Sequence, residues 1–177
     1  MATTITGTTV ANADDYYHSN SVKVTGTTTI RAEYNNGTSI VAYAEAEITT
    51  SAIPDADTID SATLHWYNSS YAKTKAASVE GRIQISPDSG STYYVIYSLA
   101  TAPSAGWTSH ALTTGESAHI NKTGKTYFKW IVDDPGSTYY RTWLVGAKEG
   151  STSAYLEVTY SPAPTGKRKA ARFILIG

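Results

Sequence analysis

The sequence predicts an all-β protein: a single jelly-roll-like antiparallel β-sandwich of about ten strands with an extended C-terminal arm. Three observations predict it. Apolar residues recur at every second position rather than at helical spacing. Short runs of this kind are separated by Gly, Pro, Asn and Asp. No stretch reads as a helix longer than one turn. At 177 residues the chain is long enough for one domain with a substantial core. The expected division is an extended segment over 1–20, a sandwich over 21–160, and a Pro-containing linker with a basic and apolar arm over 161–177.

The strands follow in order. "TTTIRAE" (27–33) opens the series, and "IVAYAEAEI" (40–48) puts Ile40, Ala42, Ala44, Ala46 and Ile48 on one face. "SATLHWYN" (61–68) groups Ala62, Leu64 and Trp66 and turns His65 to the opposite side. "VEGRIQI" (79–85) groups Val79, Gly81, Ile83 and Ile85. "TYYVIYSL", "WTSHAL", "TYFKWIV", "YRTWLVGA" and "AYLEVTY" complete the set, which places Trp66, Trp130 and Trp143 in the core. Successive residues of a strand face opposite ways, so each tyrosine pair sends one ring outward. Tyr16, Tyr17, Tyr94 and Tyr140 are therefore the candidate contact aromatics. The prolines of "SPAPT" (161–165) end the last strand, because proline has no N–H to give a ladder.

Charge separates the tail from the body. Residues 166–177, "GKRKAARFILIG", hold Lys167, Arg168, Lys169 and Arg172 with no acid. Without those four, ten basic residues face fifteen acidic ones, so the body is near −5. Such a body repels nucleic acid, which is not an expected partner. The apolar run Phe173, Ile174, Leu175 and Ile176 is far too short to cross a bilayer, and no membrane is expected. The opening residues lack the basic-then-apolar order of a secretory signal. There are no cysteines, so disulfides, thiolate metal sites and cysteine nucleophiles are excluded. The sequons "NGT", "NSS" and "NKT" are read as polar loops.

Two hairpins resemble each other. "SPDSGSTY" carries Ser86, Asp88, Gly90, Thr92 and Tyr93 in the order of the Asp-box turn of sialidases and related β-proteins. "VDDPGSTY" keeps Asp134, Gly136, Thr138 and Tyr139 but has Val132 in place of the Ser. In such a turn the Asp carboxylate accepts backbone N–H groups; it builds a hairpin and carries no catalysis.

The stretch "IPDADTIDSATLHWY" (53–67) resembles the "IP-x-G-A-x-I-x-S-A-T-L" segment of DNRLRE-type (disaggregatase-related) β-sandwich domains. The strand "SIVAYAEAEI" before it, "GWTSHALT" (106–113) and the close "STSAYLEVTY" (151–160) follow in the family's order. Asp57 replaces the family's usual Gly, and Ala154 stands where a Pro is common. The resemblance implies a jelly-roll sandwich of the kind found in surface, secreted and phage structural proteins. It also implies that Trp107 is structural, and it brings no active site with it.

No constellation points to catalysis. Asp55, Asp57 and Asp60 in "DADTID" are close enough to raise a calcium loop, but they match no complete ligand pattern and are read as turn acids. The four histidines show no metal-ligand spacing, and no serine sits in a nucleophile elbow. No cofactor and no catalytic residue is expected.

The expected function is therefore a non-enzymatic structural virion protein, a phage capsid decoration protein or a head or tail appendage, assembled in the host cytoplasm. Its partner would be the major capsid protein or another virion protein, gripped by Lys167, Arg168, Lys169 and Arg172 and by the strand-forming run 173–176. A homo-oligomer is expected, a trimer by analogy with decorating jelly rolls. The alternative is a carbohydrate-binding or adhesion module of a cell-surface or extracellular protein, which predicts exposed aromatics over a shallow groove.

Overall fold

A computed structural model describes residues 3–8, 15–19, 22–35, 40–74, 80–88, 91–133, 140–147 and 150–161, with backbone alone at 3–8, 15, 16, 18, 22, 35, 40 and 41. Twelve strands lie within them. In order these are β1 (Thr3–Thr8), β2 (Asp15–Ser19), β3 (Val22–Val24), β4 (Thr29–Asn35), β5 (Ile40–Thr49) and β6 (Thr58–Lys73). There follow β7 (Gly81–Ser86), β8 (Tyr94–Leu99), β9 (Gly106–Ala111), the one-turn helix α1 (Thr114–Ser117), β10 (Lys125–Val132), β11 (Tyr140–Gly146) and β12 (Tyr155–Ser161). All pairings are antiparallel. The ladder runs β1-β12-β6-β11-β4-β5-β10-β7-β8, with β2 on β5, β3 on β2, and β9 on β6. The fold is the all-β sandwich that the alternation predicts, curled from one continuous sheet.

The strand β6 makes the curl. Thr58 to His65 pair with β12, whereas Asn68 to Lys73 pair with β11, and the segment 63–68 also carries β9. One strand thus belongs to both layers, and register shifts at Leu144/Val145 and Thr159/Tyr160 accompany the bend. The apolar pattern reveals only 61–68 of it, because the ends of β6 are polar and partly exposed.

Within the expected segment 1–20, the described residues 3–8 and 15–19 are strands that pair with the sandwich. β1 pairs with β12 over its whole length and β2 pairs with β5, so the boundary expected at residue 20 falls inside the sheet. The physical reason is edge protection: without β1, β12 would offer an unpaired row of backbone groups. Residues 162–177, which include the expected arm, lie outside the described residues.

The core pairs large residues with small ones. Phe128 and Trp130 on β10 face Ala46 and Ala44 on β5, and Trp143 on β11 faces Ala32 on β4. All six are fully buried. The alanines of "AYAEAE" thus leave the volume that the aromatic rings fill, as close packing requires. Gly81 has a related reason: a Cβ there would meet the Ile131 carbonyl oxygen at 2.7 Å and the Trp143 ring at 3.3 Å.

A buried ionic group closes one end. Arg141, fully buried, lies 3.3 Å from the Glu80 carboxylate and donates to the Asp133 carbonyl oxygen at 2.9 Å. Lys73 pairs with the same Glu80, and the Tyr71 hydroxyl donates to the Glu80 carbonyl oxygen at 2.9 Å. Burial raises the Tyr71 hydroxyl well above its ordinary range. The helix α1 is held by a capping box, Thr113 with Glu116, whose T-x-x-E signature is present in the sequence. Among the described residues no helix is long and apolar enough to cross a membrane.

Candidate functional site

The alternation of β6 and β9 sends one set of rings to the outside of the sheet. His65 pairs across the ladder with Tyr155 on β12 and with Ser109 on β9, and Tyr67 pairs with Trp107. Trp107 is 53 % exposed. Its ring centroid lies 5.7 Å from Tyr67 and 5.7 Å from Tyr155, edge to face in both cases, and Tyr155 stacks on His65 at 4.4 Å. Such edge-to-face neighbours fix the indole without covering it. Glu157 adds a carboxylate 3.5 Å from His65 Nε2. Gly106, with φ +130°, takes a backbone conformation that only glycine adopts readily and so sets the direction in which Trp107 leaves the strand.

Beside Trp107 the curl stays open. Among the described strands β8 pairs only with β7, and β9 only with β6. Ring contacts bridge the gap: Tyr97 to Trp66 at 5.5 Å and Tyr97 to His110 at 5.3 Å. The seam holds a cleft of about 370 Å³, walled by the connection 100–105, floored by Trp66 and Tyr97, and bordered by Trp107. Thr101, Ser104 and Thr108 supply hydroxyls, and no carboxylate, Lys or Arg is among the residues lining it. Aromatic faces beside neutral hydroxyls can bind a ligand and orient it.

Asn68 organises the floor. Its Oδ1 accepts from Trp66 Nε1 at 2.9 Å and Trp143 Nε1 at 3.0 Å, and its Nδ2 donates to Thr108 Oγ1 at 2.7 Å. Indole nitrogens only donate, so the orientation of the amide is fixed by its partners. Asn68 is 1 % exposed within a strand, which corrects the reading of "NSS" as a polar loop.

The structure describes only some of the residues singled out in the sequence, and it does not bring those together. Lys167, Arg168, Lys169, Arg172, Phe173, Ile174, Leu175 and Ile176 lie outside the described residues, as does the Tyr16 side chain. Tyr17 is half-buried against the core, with the Arg31 guanidinium 5.1 Å from its ring centre, so it presents little surface to a partner. It pairs with Ala44, whose side of β5 is the core side. Tyr94 is 42 % exposed and stacks on His119 at 3.6 Å; Tyr140 is 37 % exposed. No ring contact joins Tyr17, Tyr94 and Tyr140 to one another. Trp107, expected to be structural, is instead the most exposed large apolar side chain among the described residues. Its strand lies outermost on β6, where the outward face meets water.

The hairpin over 86–93 has the Asp-box contacts where described: Asp88 accepts from Ser86 Oγ at 2.7 Å, Ser91 Oγ at 2.5 Å and the Thr92 N–H at 3.2 Å. These bonds, that of Ser91 first, hold the Asp88 carboxyl below its usual range. Residues 134–139 of the second hairpin are outside the described set. Asp55, Asp57 and Asp60 are held by turn and strand partners. The Asp57 N–H donates to the Pro54 carbonyl oxygen at 2.9 Å, Lys122 Nζ reaches the carbonyl oxygens of Asp55 and Asp57, and Asp60 accepts from Ser161. Among the described residues no group of three or more Asp, Glu and His side chains is placed to hold a metal ion.

No family model matches the chain, and no curated protein does. Among solved structures it is similar to a chain described as "CBM4 structure and function", at 11% sequence identity and a TM-score of 0.34, over 83% of this chain and 90% of that one.

Proposed function

We propose that the protein is a non-catalytic binding module that takes a neutral saccharide at the seam between β8 and β9. The observation that carries this reading is Trp107: a half-exposed indole, braced by Tyr67 and Tyr155, at the border of a cleft with an aromatic floor and hydroxyl-bearing walls. A pyranose presents C–H groups on one face and hydroxyls round its rim. An indole face beside Thr101, Ser104 and Thr108 complements both.

The test is a titration of the full chain against a panel of soluble oligosaccharides, followed by calorimetry. At least one saccharide is expected to bind, and Trp107→Ala should weaken it about tenfold or more while leaving the urea unfolding midpoint in place. A panel without binding, or an unchanged affinity in Trp107→Ala, refutes the reading.

A second reading rests on a different observation, the segregation of charge between an acidic body and a tail of four basic residues and no acid. On that reading the protein is a structural component of a phage particle, and residues 166–177 dock it to a capsid or tail protein or to further copies of itself. Removing 166–177 would then abolish incorporation into particles and leave saccharide binding untouched. The saccharide reading expects loss only on substitution at the seam.

A further inference from the structure

A second cavity, of about 420 Å³, lies away from the seam, between the start of β6 and the turn that carries α1. Its apolar lining includes Ile59, Leu112 and Ile120; its polar lining includes Asp57, Asp60 and Lys122. Leu112 and Ile120 are 8 % and 6 % exposed, so the floor belongs to the core. Lys122 turns its ammonium to the carbonyl oxygens of Asp55 and Asp57, and the two carboxylates leave the lining net acidic. A cavity of this size falls within the range that holds a ligand or side-chain anchor of ordinary dimensions.

Two observations point to one occupant. The first is position: Ser161, the last residue of β12, pairs with Thr58 and donates its hydroxyl to Asp60, a residue of the cavity lining. The second is complementarity. Downstream lies a segment with Lys167, Arg168, Lys169 and Arg172 followed by Phe173, Ile174, Leu175 and Ile176. Acidic groups round an apolar floor match a basic stretch joined to an apolar one. The linker length allows the return: eleven residues separate Ser161 from Phe173, and a chain reaches up to about 3.3 Å per residue. Tethering raises the effective concentration of such a segment at a neighbouring site to about millimolar. Four consecutive apolar residues of high β-propensity are also an aggregation hazard when left in water, which their burial removes.

We infer that the cavity between β6 and α1 is the docking site of the chain's own segment 166–177, with Phe173 and its apolar neighbours over Ile59, Leu112 and Ile120 and the basic residues facing Asp57 and Asp60. The inference does not depend on the saccharide reading, and it competes with the second reading, which sends the same segment to another protein.

A photoreactive benzophenone side chain placed at Phe173 of the full chain tests it, with adducts mapped by mass spectrometry on an equal mixture of ¹⁴N- and ¹⁵N-labelled protein. Docking within one chain gives adducts at 57–61 or 112–122 that carry a single isotope. The double substitution Asp57→Asn with Asp60→Asn should lower their yield about threefold or more, as should high salt. Both positions are at or near the surface, and a far-UV spectrum and unfolding midpoint check that the fold is kept. Absence of adducts, adducts on β8 or elsewhere, mixed-isotope adducts, or a yield indifferent to both charge removal and salt overturns the inference.

Discussion

Replacing Asn68 with Ala removes one oxygen and leaves two donors without it. Trp66 and Trp143 are fully buried, and each gives its indole N–H to Asn68 Oδ1. A buried donor left unpaired costs about 1–3 kcal/mol, so two cost about 2–6 kcal/mol. The bond to Thr108 adds little, because Thr108 is half-buried and its hydroxyl can turn to water. The cleft beside Asn68 gives a water molecule a route to the vacated site, which places the expected loss in the lower half of that range, about 3 kcal/mol. For a domain of this size that is a fall in Tm of about 6–12 °C. Urea unfolding followed by tryptophan fluorescence measures it, with m unchanged if the native state keeps its compactness. Trp143→Phe removes one of the donors in advance. Asn68→Ala should therefore cost less in that background, and the coupling isolates the indole contribution. A loss below about 1 kcal/mol, or costs that simply add, would refute the reasoning.

Other outcomes follow from the same structure. Glu80→Ala leaves the fully buried Arg141 without its carboxylate and should cost about 3–5 kcal/mol in chemical denaturation, whereas Arg82→Ala, at the more exposed pair with Asp133, should cost less than about 1 kcal/mol. Ala44→Leu forces a larger side chain against Trp130 and should destabilise by about 1–3 kcal/mol, with a disturbed near-UV spectrum as the sign of overpacking. The Asp88 carboxyl is held below its unfolded value, so its contribution to the hairpin is fully present above the ordinary carboxylate range and is lost as pH falls through its lowered folded value. The protection of the Thr92 amide, its exchange rate taken relative to the intrinsic rate at each pH, should accordingly fall at acid pH in the native protein, and Asp88→Ala should show low protection across the whole range.

Strand positions inside the sandwich were legible because alternation is a local property. Leu64 and Trp66 against His65, and Ile83 and Ile85 against Gln84, take the faces that the pattern assigns. β1 and β2 were less legible, since segments rich in Thr, Asp and Tyr gain their order from β12 and β5, more than twenty residues away in sequence. The outward direction of His65 could be read from the sequence; its neighbours could not. Tyr155 stacks on it through a pairing that spans 90 positions, and Trp107 joins Tyr155 from a strand paired at Tyr67, 40 positions away; no local pattern encodes those. The exposure of Trp107 was not legible either: a motif position fixes that a residue is placed, and the strand's location at the margin of the sheet decides whether it is covered. Asn68 was hidden for the opposite reason, because a sequon-like triplet reads as surface while its partners are two distant tryptophans.

The seam between β8 and β9 is spanned by Tyr97 against Trp66 and His110, not by backbone hydrogen bonds. Its aperture is therefore set by side-chain volume and by the connection 100–105, not by strand register. An engineer could widen it at Tyr97 or narrow it at Thr101 without disturbing the register of any strand, whereas the same change in a closed ladder would break pairs on both sides. The molecule in effect carries an adjustable gauge in an otherwise fixed shell.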